Sequence, residues 1–305
     1  MTHIKERDDQ YYTPEGLALA LTGETLGIFG GNRSYLEPSG GTGVFIETLK
    51  QFGVTNIVSY DVAPKHPDII EADFLKVTDQ VPSGAIAIGN PPFGKGGSMA
   101  LRFMNHCAKL GCIAVCFINP ASMGVKLFSR NRIVPNLHPY KQIPLPPNLH
   151  FTTNGDQTYQ AAINPVRCSF QIWVVKQTPR QIIESVYSCP LFEDMRVSCR
   201  KFTDEAGKLR EYPVGDIDAD FTIVSHGQRA GSVVDFNPAQ KANVCRFIKV
   251  ADEYDVDEVR DVIQNTDFSY FRDASTIRHN PSLSPTEIIY TVMGWEYKLK
   301  WEVAE

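Results

Sequence analysis

Two consecutive prolines set directly after an apolar run constrain this chain more than any other feature. The run Ala85-Ile86-Ala87-Ile88 reads as a buried strand, and Gly89 lets the backbone turn at its end. Asn90-Pro91-Pro92-Phe93 follows at once. Neither proline has an N–H to give to a ladder, so the strand must stop there, and the two fixed φ angles make a stiff corner. That corner holds Asn90 and Phe93 at the carboxyl end of the strand, the edge where open α/β sheets bind ligands. A rigid amide, exposed carbonyls and an aromatic face suit the capture of a flat, amine-bearing base.

The elements around this corner alternate. The stretch 14–27 reads as a helix opened by Pro14 and closed by Gly27, and Gly30-Gly31-Asn32 as a turn. Ser34-Tyr35-Leu36 is a short strand leading into Glu37-Pro38-Ser39-Gly40-Gly41-Thr42-Gly43, and 44–52 has helical period. Further strands are expected at 56–62, ending with Asp61, at Ile69-Ile70 before Asp73, at 85–89 and at 112–118. An amphipathic helix over 98–110 separates the last two. Strand and helix in alternation imply right-handed crossovers and a parallel sheet. The proline-rich stretch 134–150 reads as a loop, and 169–175 (SFQIWVV) as a strand of a closing hairpin, with Trp173 in the core. The expected fold is therefore α/β: a Rossmann-like, mostly parallel seven-stranded sheet with a closing hairpin, followed by a smaller α+β region.

After about residue 178 acids return and the strands shorten; 252–264 reads as an acidic helix, and Pro285–Met293 as another. This places a catalytic domain at 1–180 and an accessory or target-recognition region at 181–305, with the alternative that the tail wraps the core. No run of 18 apolar residues occurs, so no membrane partner is expected. The charged start MTHIKERDDQ carries no apolar leader segment, and seven cysteines are an odd number for a disulfide framework. Both point to a reducing, cytoplasmic setting. His106, Cys107, Cys112 and Cys116 have the wrong spacing for zinc, and Cys112 and Cys116 lie in the apolar stretch CIAVCFI, so packing is the expected role.

The net charge of −5 hides an asymmetry. Residues 80–183 carry about +9 and the rest of the chain about −14. A basic face of that kind attracts a polyanion, so Lys95, Lys126, Arg130, Arg132 and Lys141 are candidate nucleic-acid contacts.

The glycine turn 37–43 lets backbone approach a ligand closely, but it is neither the dinucleotide G-x-G-x-x-G nor a phosphate loop. Glu37 there would repel a pyrophosphate and suits a cationic cofactor such as S-adenosylmethionine, while Asp61 at the next strand end suits ribose hydroxyls.

The order of these motifs resembles the amino-methyltransferase family of class I S-adenosylmethionine enzymes over roughly residues 11–176. With Tyr12-Thr13-Pro14 first and Asn90–Phe93 last, it is similar to the gamma group of adenine-N6 DNA methyltransferases. The resemblance implies that Tyr12, Thr13, Pro14, Glu37, Ser39, Gly41 and Gly43 hold the methionine end of the cofactor, Asp61 the ribose, and Asp73 with Phe74 the adenine, with Asn90 beside the cofactor. It implies DNA, more than RNA, as the partner. The chain departs from restriction-type members in having only about 125 residues, acidic ones, after the sheet. The segment Phe151 to Trp173 looks like stand-alone phage or viral homologues.

The chemistry at Asn90 follows from the amine. An exocyclic amine donates its lone pair into the ring and is a poor nucleophile. Two acceptors on its N–H groups, the Asn90 side-chain oxygen and the Pro91 carbonyl, would free that pair, with Pro92 stiffening the corner and Phe93 stacking on a flipped base. Competing readings are a protein-glutamine methyltransferase, a cytosine-N4 enzyme, and a silent methyltransferase-like module that binds nucleic acid or serves as a partner subunit.

Overall fold

The computed structural model describes residues 11–146, 151, 167–196, 199–203, 209–213, 218–237, 245–274, 281–296, 298 and 301. They form two compact units: Met1–Gly124, Phe128–Ile182 and Leu299–Glu305 in the first, Val125–Leu127 and Ile183–Lys298 in the second. Among the described residues no helix is long and apolar enough to cross a membrane.

The first unit is built on seven strands, β1 (Tyr35–Glu37), β2 (Ile57–Asp61), β3 (Ile70–Glu71), β4 (Ile86–Gly89), β5 (Ala114–Pro120), β6 (Leu137–Pro144) and β7 (Cys168–Val175). Their order across the sheet is β3-β2-β1-β4-β5-β7-β6. Strands β1 to β5 pair in parallel; β7 runs antiparallel to both β5 and β6. This is the expected Rossmann-like methyltransferase sheet with its closing hairpin. Chain order reverses between β1 and β4, so their carboxyl ends flank the switch point where such sheets bind ligands.

Alternation along the strands supplies both faces. Leu36, Ala87, Val115, Phe117 and Trp173 pack on one side with Leu101, Met104 and Cys107 of α3 (Ser98–Lys109). Tyr35, Ile86, Ile88, Cys116 and Ile172 pack on the other with Ala18 and Leu21 of α1 (Glu15–Phe29) and Phe45 and Leu49 of α2 (Val44–Gln51). The helix α1 runs through Gly27, its expected stop, and ends at Gly30 (φ 80°), whose N–H reaches Leu26 O.

Strand β6 lies in the stretch that the sequence reads as a loop. It is the edge strand, and its register shifts between Pro139 and Lys141. Edges and irregular registers are where a ladder tolerates proline. The described cysteines 107, 112, 116 and 168 of this unit are buried, as are Cys189 and Cys245 of the second.

The short helix α4 (Leu127–Arg130) follows β5. The second unit holds an antiparallel sheet of order β12-β11-β13-β8, from β8 (Phe192–Arg196), β11 (Phe221–Val224), β12 (Val233–Asp235) and β13 (Cys245–Val250). Strands β9 (Cys199–Thr203) and β10 (Leu209–Pro213) pair antiparallel as a separate two-stranded sheet. Helix α5 (Val256–Gln264) is capped by Asp255, which accepts from Asp257 and Glu258 N–H; α6 (Ser269–Arg272) is short. Helix α7 (Pro285–Val292) opens with a capping box between Ser284 and Glu287.

Glu287 has a second task. Its carboxylate, 2 % exposed, accepts from Lys126 Nζ at 3.1 Å and from Leu127 N–H at 3.3 Å, while Lys126 Nζ also donates to Ser282 O. Removing one partner of a buried pair leaves the other charge uncompensated. Glu287→Ala is therefore expected to destabilise the second unit by about 3 kcal/mol or more, read as an earlier urea midpoint; Lys126→Met with Glu287→Leu should recover most of that loss.

Candidate functional site

The turn 37–43 is fixed by its own backbone. Gly40 N–H donates to Tyr60 O at 2.9 Å and Gly43 N–H to Gly40 O at 2.7 Å. Gly40 has no room for a side chain: a Cβ there would stand 2.4 Å from Ser59 Oγ. Gly43 caps α2 at φ 81°, where a Cβ would meet the His66 ring at 2.6 Å. Asp61 closes the turn from the neighbouring strand, accepting from Gly41 N–H at 2.9 Å through Oδ2 and from Ala63 N–H at 2.8 Å through Oδ1.

Gly40, Gly41 and Asp61 border a cavity of about 580 Å³. Its walls include Tyr12, Thr13, Glu37, Ser39, Gly41, Asp61, Asp73, Asn90 and Pro92, so the glycine turn and the Asn-Pro-Pro corner open onto one space. Volumes of this order suit a ligand of nucleoside size.

Glu37 is 1 % exposed, and its Oε2 has no hydrogen-bond partner among the described residues. Burial raises its carboxyl well above the usual range, and the Asp61 charge raises it further; the Ile46 N–H opposes both. A buried, half-satisfied carboxyl on a cavity wall fits a cationic ligand group. With Asp61 and Asp73 on the same wall as acceptors, the donor set fits S-adenosylmethionine: an ammonium, ribose hydroxyls and an adenine amine.

Asp73 caps a turn of 3-10 helix, accepting from Leu75 N–H at 3.2 Å, and its outer oxygen lies 3.4 Å from Lys76 Nζ. Asn90 Nδ2 donates to Thr13 Oγ1 at 3.2 Å and to Tyr11 O at 3.4 Å. Tyr12 faces the turn, and Lys65 Nζ stands 4.5 Å from its ring centroid.

Five other expected residues lie off the cavity wall. Pro14 is the N-cap of α1 and Gly43 that of α2; Pro91 is buried within the corner. Phe74 is 2 % exposed and belongs to the core, its ring 5.4 Å from that of Phe103 and 5.0 Å from that of His106. Its neighbour Phe103, with Leu75, Met99 and Arg102, lines the cavity instead. Helical period identified α3 but could not say that its Met99–Phe103 turn reaches the site. Phe93 is partly buried and packs against the clusters on both sheet faces; its carbonyl accepts from Met99 N–H at 2.9 Å, tying the corner to α3.

The basic stretch does not form one solvated face. Arg130 is 2 % exposed, Lys126 is held by Glu287, and Lys141 Nζ donates to Glu24 at 2.6 Å. Arg180 turns inward too, its guanidinium donating to the carbonyls of Leu137, Arg130 and Ile133. Lys95 and Arg132 are the expected contacts that stay exposed. Arg132 stacks at 5.3 Å over Phe128, whose side chain is 73 % exposed, an aromatic that charge counting does not find.

Strand order and cavity together define a Rossmann-like methyltransferase fold with a site fitted to S-adenosylmethionine. The chain is similar to two curated proteins: 38% identical over 87 residues to the type II methyltransferase M.HincII of Haemophilus influenzae, and equally to the type II methyltransferase M.HindII of strain ATCC 51907 / DSM 11121 / KW20 / Rd. The matched stretch is 28% of this chain and 17% and 16% of those relatives, so the chain spans well under two thirds of their length. No family model matches it. Among solved structures, a candidate RNA methyltransferase from Pyrococcus horikoshii aligns at 14% identity over 57% of this chain and 92% of that one, with a TM-score of 0.43. The M protein of the type I restriction enzyme EcoKI aligns at 14% identity over 59% and 47%, with a TM-score of 0.39. The fold assignment rests on the strand order described above.

Proposed function

We propose that this chain is a methyltransferase that uses S-adenosylmethionine to methylate the N6 amine of adenine in DNA, with the target base turned out of the duplex. The observation that carries this reading is the single cavity that joins the buried Glu37 carboxyl and the glycine turn to the Asn90 side chain. The similarity to two type II methyltransferases supports it.

When bound, the cofactor supplies an electrophilic methyl group on a sulfonium. Glu37 receives the ammonium, Asp61 the ribose and Asp73 the adenine amine. Asn90 Oδ1 and the Pro91 carbonyl accept the two N–H groups of the target amine. That pulls the nitrogen toward tetrahedral geometry and frees its lone pair. The bound cofactor would supply the methyl group to that nitrogen, and the proton the amine gives up would pass to water. No side chain of matched pKa is required. Phe93, off the cavity wall and packed on both core clusters but still partly exposed, offers its open edge to the base, and Lys95 and Arg132 meet phosphate.

The test is incubation with labelled cofactor and, separately, duplex DNA, single-stranded DNA, RNA and protein, followed by digestion and mass identification of the product. N6-methyladenine from DNA is the expected result. Label on protein glutamine, on cytosine or nowhere would overturn the assignment.

A further inference from the structure

We infer that Thr13 is a positioning residue for methyl transfer, acting through Asn90. The inference rests on the proposed function and adds to it the device that aims the catalytic amide.

An asparagine side chain is nearly symmetric in shape. Its nitrogen end donates and its oxygen end accepts, and only the oxygen end serves an amine substrate. Something must choose between the two orientations. A backbone carbonyl can only accept, so the Tyr11 O at 3.4 Å attracts the nitrogen end. The Thr13 hydroxyl, 3.2 Å from Nδ2, accepts a second N–H from the same end. Both N–H bonds of the amide are thereby directed to the segment 11–13. Among the described residues nothing donates to Oδ1, which is left as the acceptor for an incoming amine.

The geometry singles out Thr13 over Tyr11 because its bond is shorter and its side chain is 8 % exposed, so water does not readily replace it. Residues 11–13 also line the cavity. One short segment therefore touches the cofactor space and orients the catalytic amide.

The experiment compares Thr13→Val, which keeps the shape and removes the hydroxyl, with Thr13→Ser, which keeps the hydroxyl. Single-turnover methyl transfer at saturating cofactor should fall on the order of tenfold in Thr13→Val and return to near the wild-type rate in Thr13→Ser. Because Thr13 also lines the cavity, cofactor Kd is measured by calorimetry alongside, and the rate is read at saturation so that weakened binding does not enter it. An unchanged rate in Thr13→Val, or a loss that saturating cofactor restores, would overturn the inference. A second measurement needs no activity. In protein labelled with 15N-asparagine, the Asn90 side-chain amide is assigned by its absence in Asn90→Ser. Its hydrogen exchange should be slowed in the wild type and released in Thr13→Val; equal exchange in both would refute the link. If the wild type methylates nothing while this exchange difference stands, the proposed function fails and the tether remains.

Discussion

Asn90→Ala should lower the single-turnover rate of methyl transfer on the order of a thousandfold while cofactor Kd moves by no more than about threefold. The size follows from preorganisation. In the proposed mechanism the corner aims its acceptors before the base arrives, so the cost of orienting them is met during folding. Truncation removes an acceptor that acts where the lone pair develops, and water in a narrow site is a poor substitute for a fixed oxygen. Stability should change little, because Asn90 is only partly buried and gives up two long hydrogen bonds to Tyr11 O and Thr13 Oγ1. A variant that binds cofactor normally and transfers methyl at the wild-type rate would remove the Asn90 mechanism.

Glu37→Gln should pull affinity and stability in opposite directions. Cofactor binding should weaken about a hundredfold, because glutamine cannot release a proton to leave the charge that pairs with the ammonium. The free protein should become more stable near neutral pH, since the native carboxyl is fully buried, close to the Asp61 charge and missing a partner at Oε2. The pH dependence has a fixed sign. Burial raises the folded carboxyl above its ordinary value, so the folded state holds the proton where the unfolded chain has released it. Stability from this group is full below the ordinary carboxylate range and is lost as pH rises through the raised folded value. Glutamine does not titrate, so its advantage should be absent in acid and grow with pH. Melting curves of both proteins without cofactor, from pH 4 upward, measure this; an advantage that is constant with pH would show that Glu37 keeps its ordinary titration.

These expectations show which features the chain spells out locally. The Pro91-Pro92 corner and the turn 37–43 could be read from sequence because proline's missing donor and glycine's missing Cβ act on neighbouring residues; the space refused at Gly40 by Ser59 is the same rule seen in three dimensions. Strand β6 could not be read, because proline argues against a strand unless that strand is known to be an edge, and edge position is a property of the whole sheet. Aromatic type was equally mute. Phe74 and Phe103 look alike in sequence and share one core cluster, yet of the two Phe103 alone also lines the cavity. The basic stretch misled for a related reason: Lys141 and Lys126 meet Glu24 and Glu287, carboxylates 117 and 161 residues away, which no local count of charge reveals.

Three residues, Val125–Leu127, are counted with the second unit although the chain on either side belongs to the first, and Trp301, near the last residue, lies edge-on at 5.2 Å from Trp173. The polypeptide thus passes from one unit to the other four times. A stop codon near residue 180 would strip Trp173 of the Trp301 ring and leave Leu127, 3 % exposed in this structure, bare to water. Each unit is thus closed by residues far along the chain from its main body, so both are expected to lose stability when the chain is cut there.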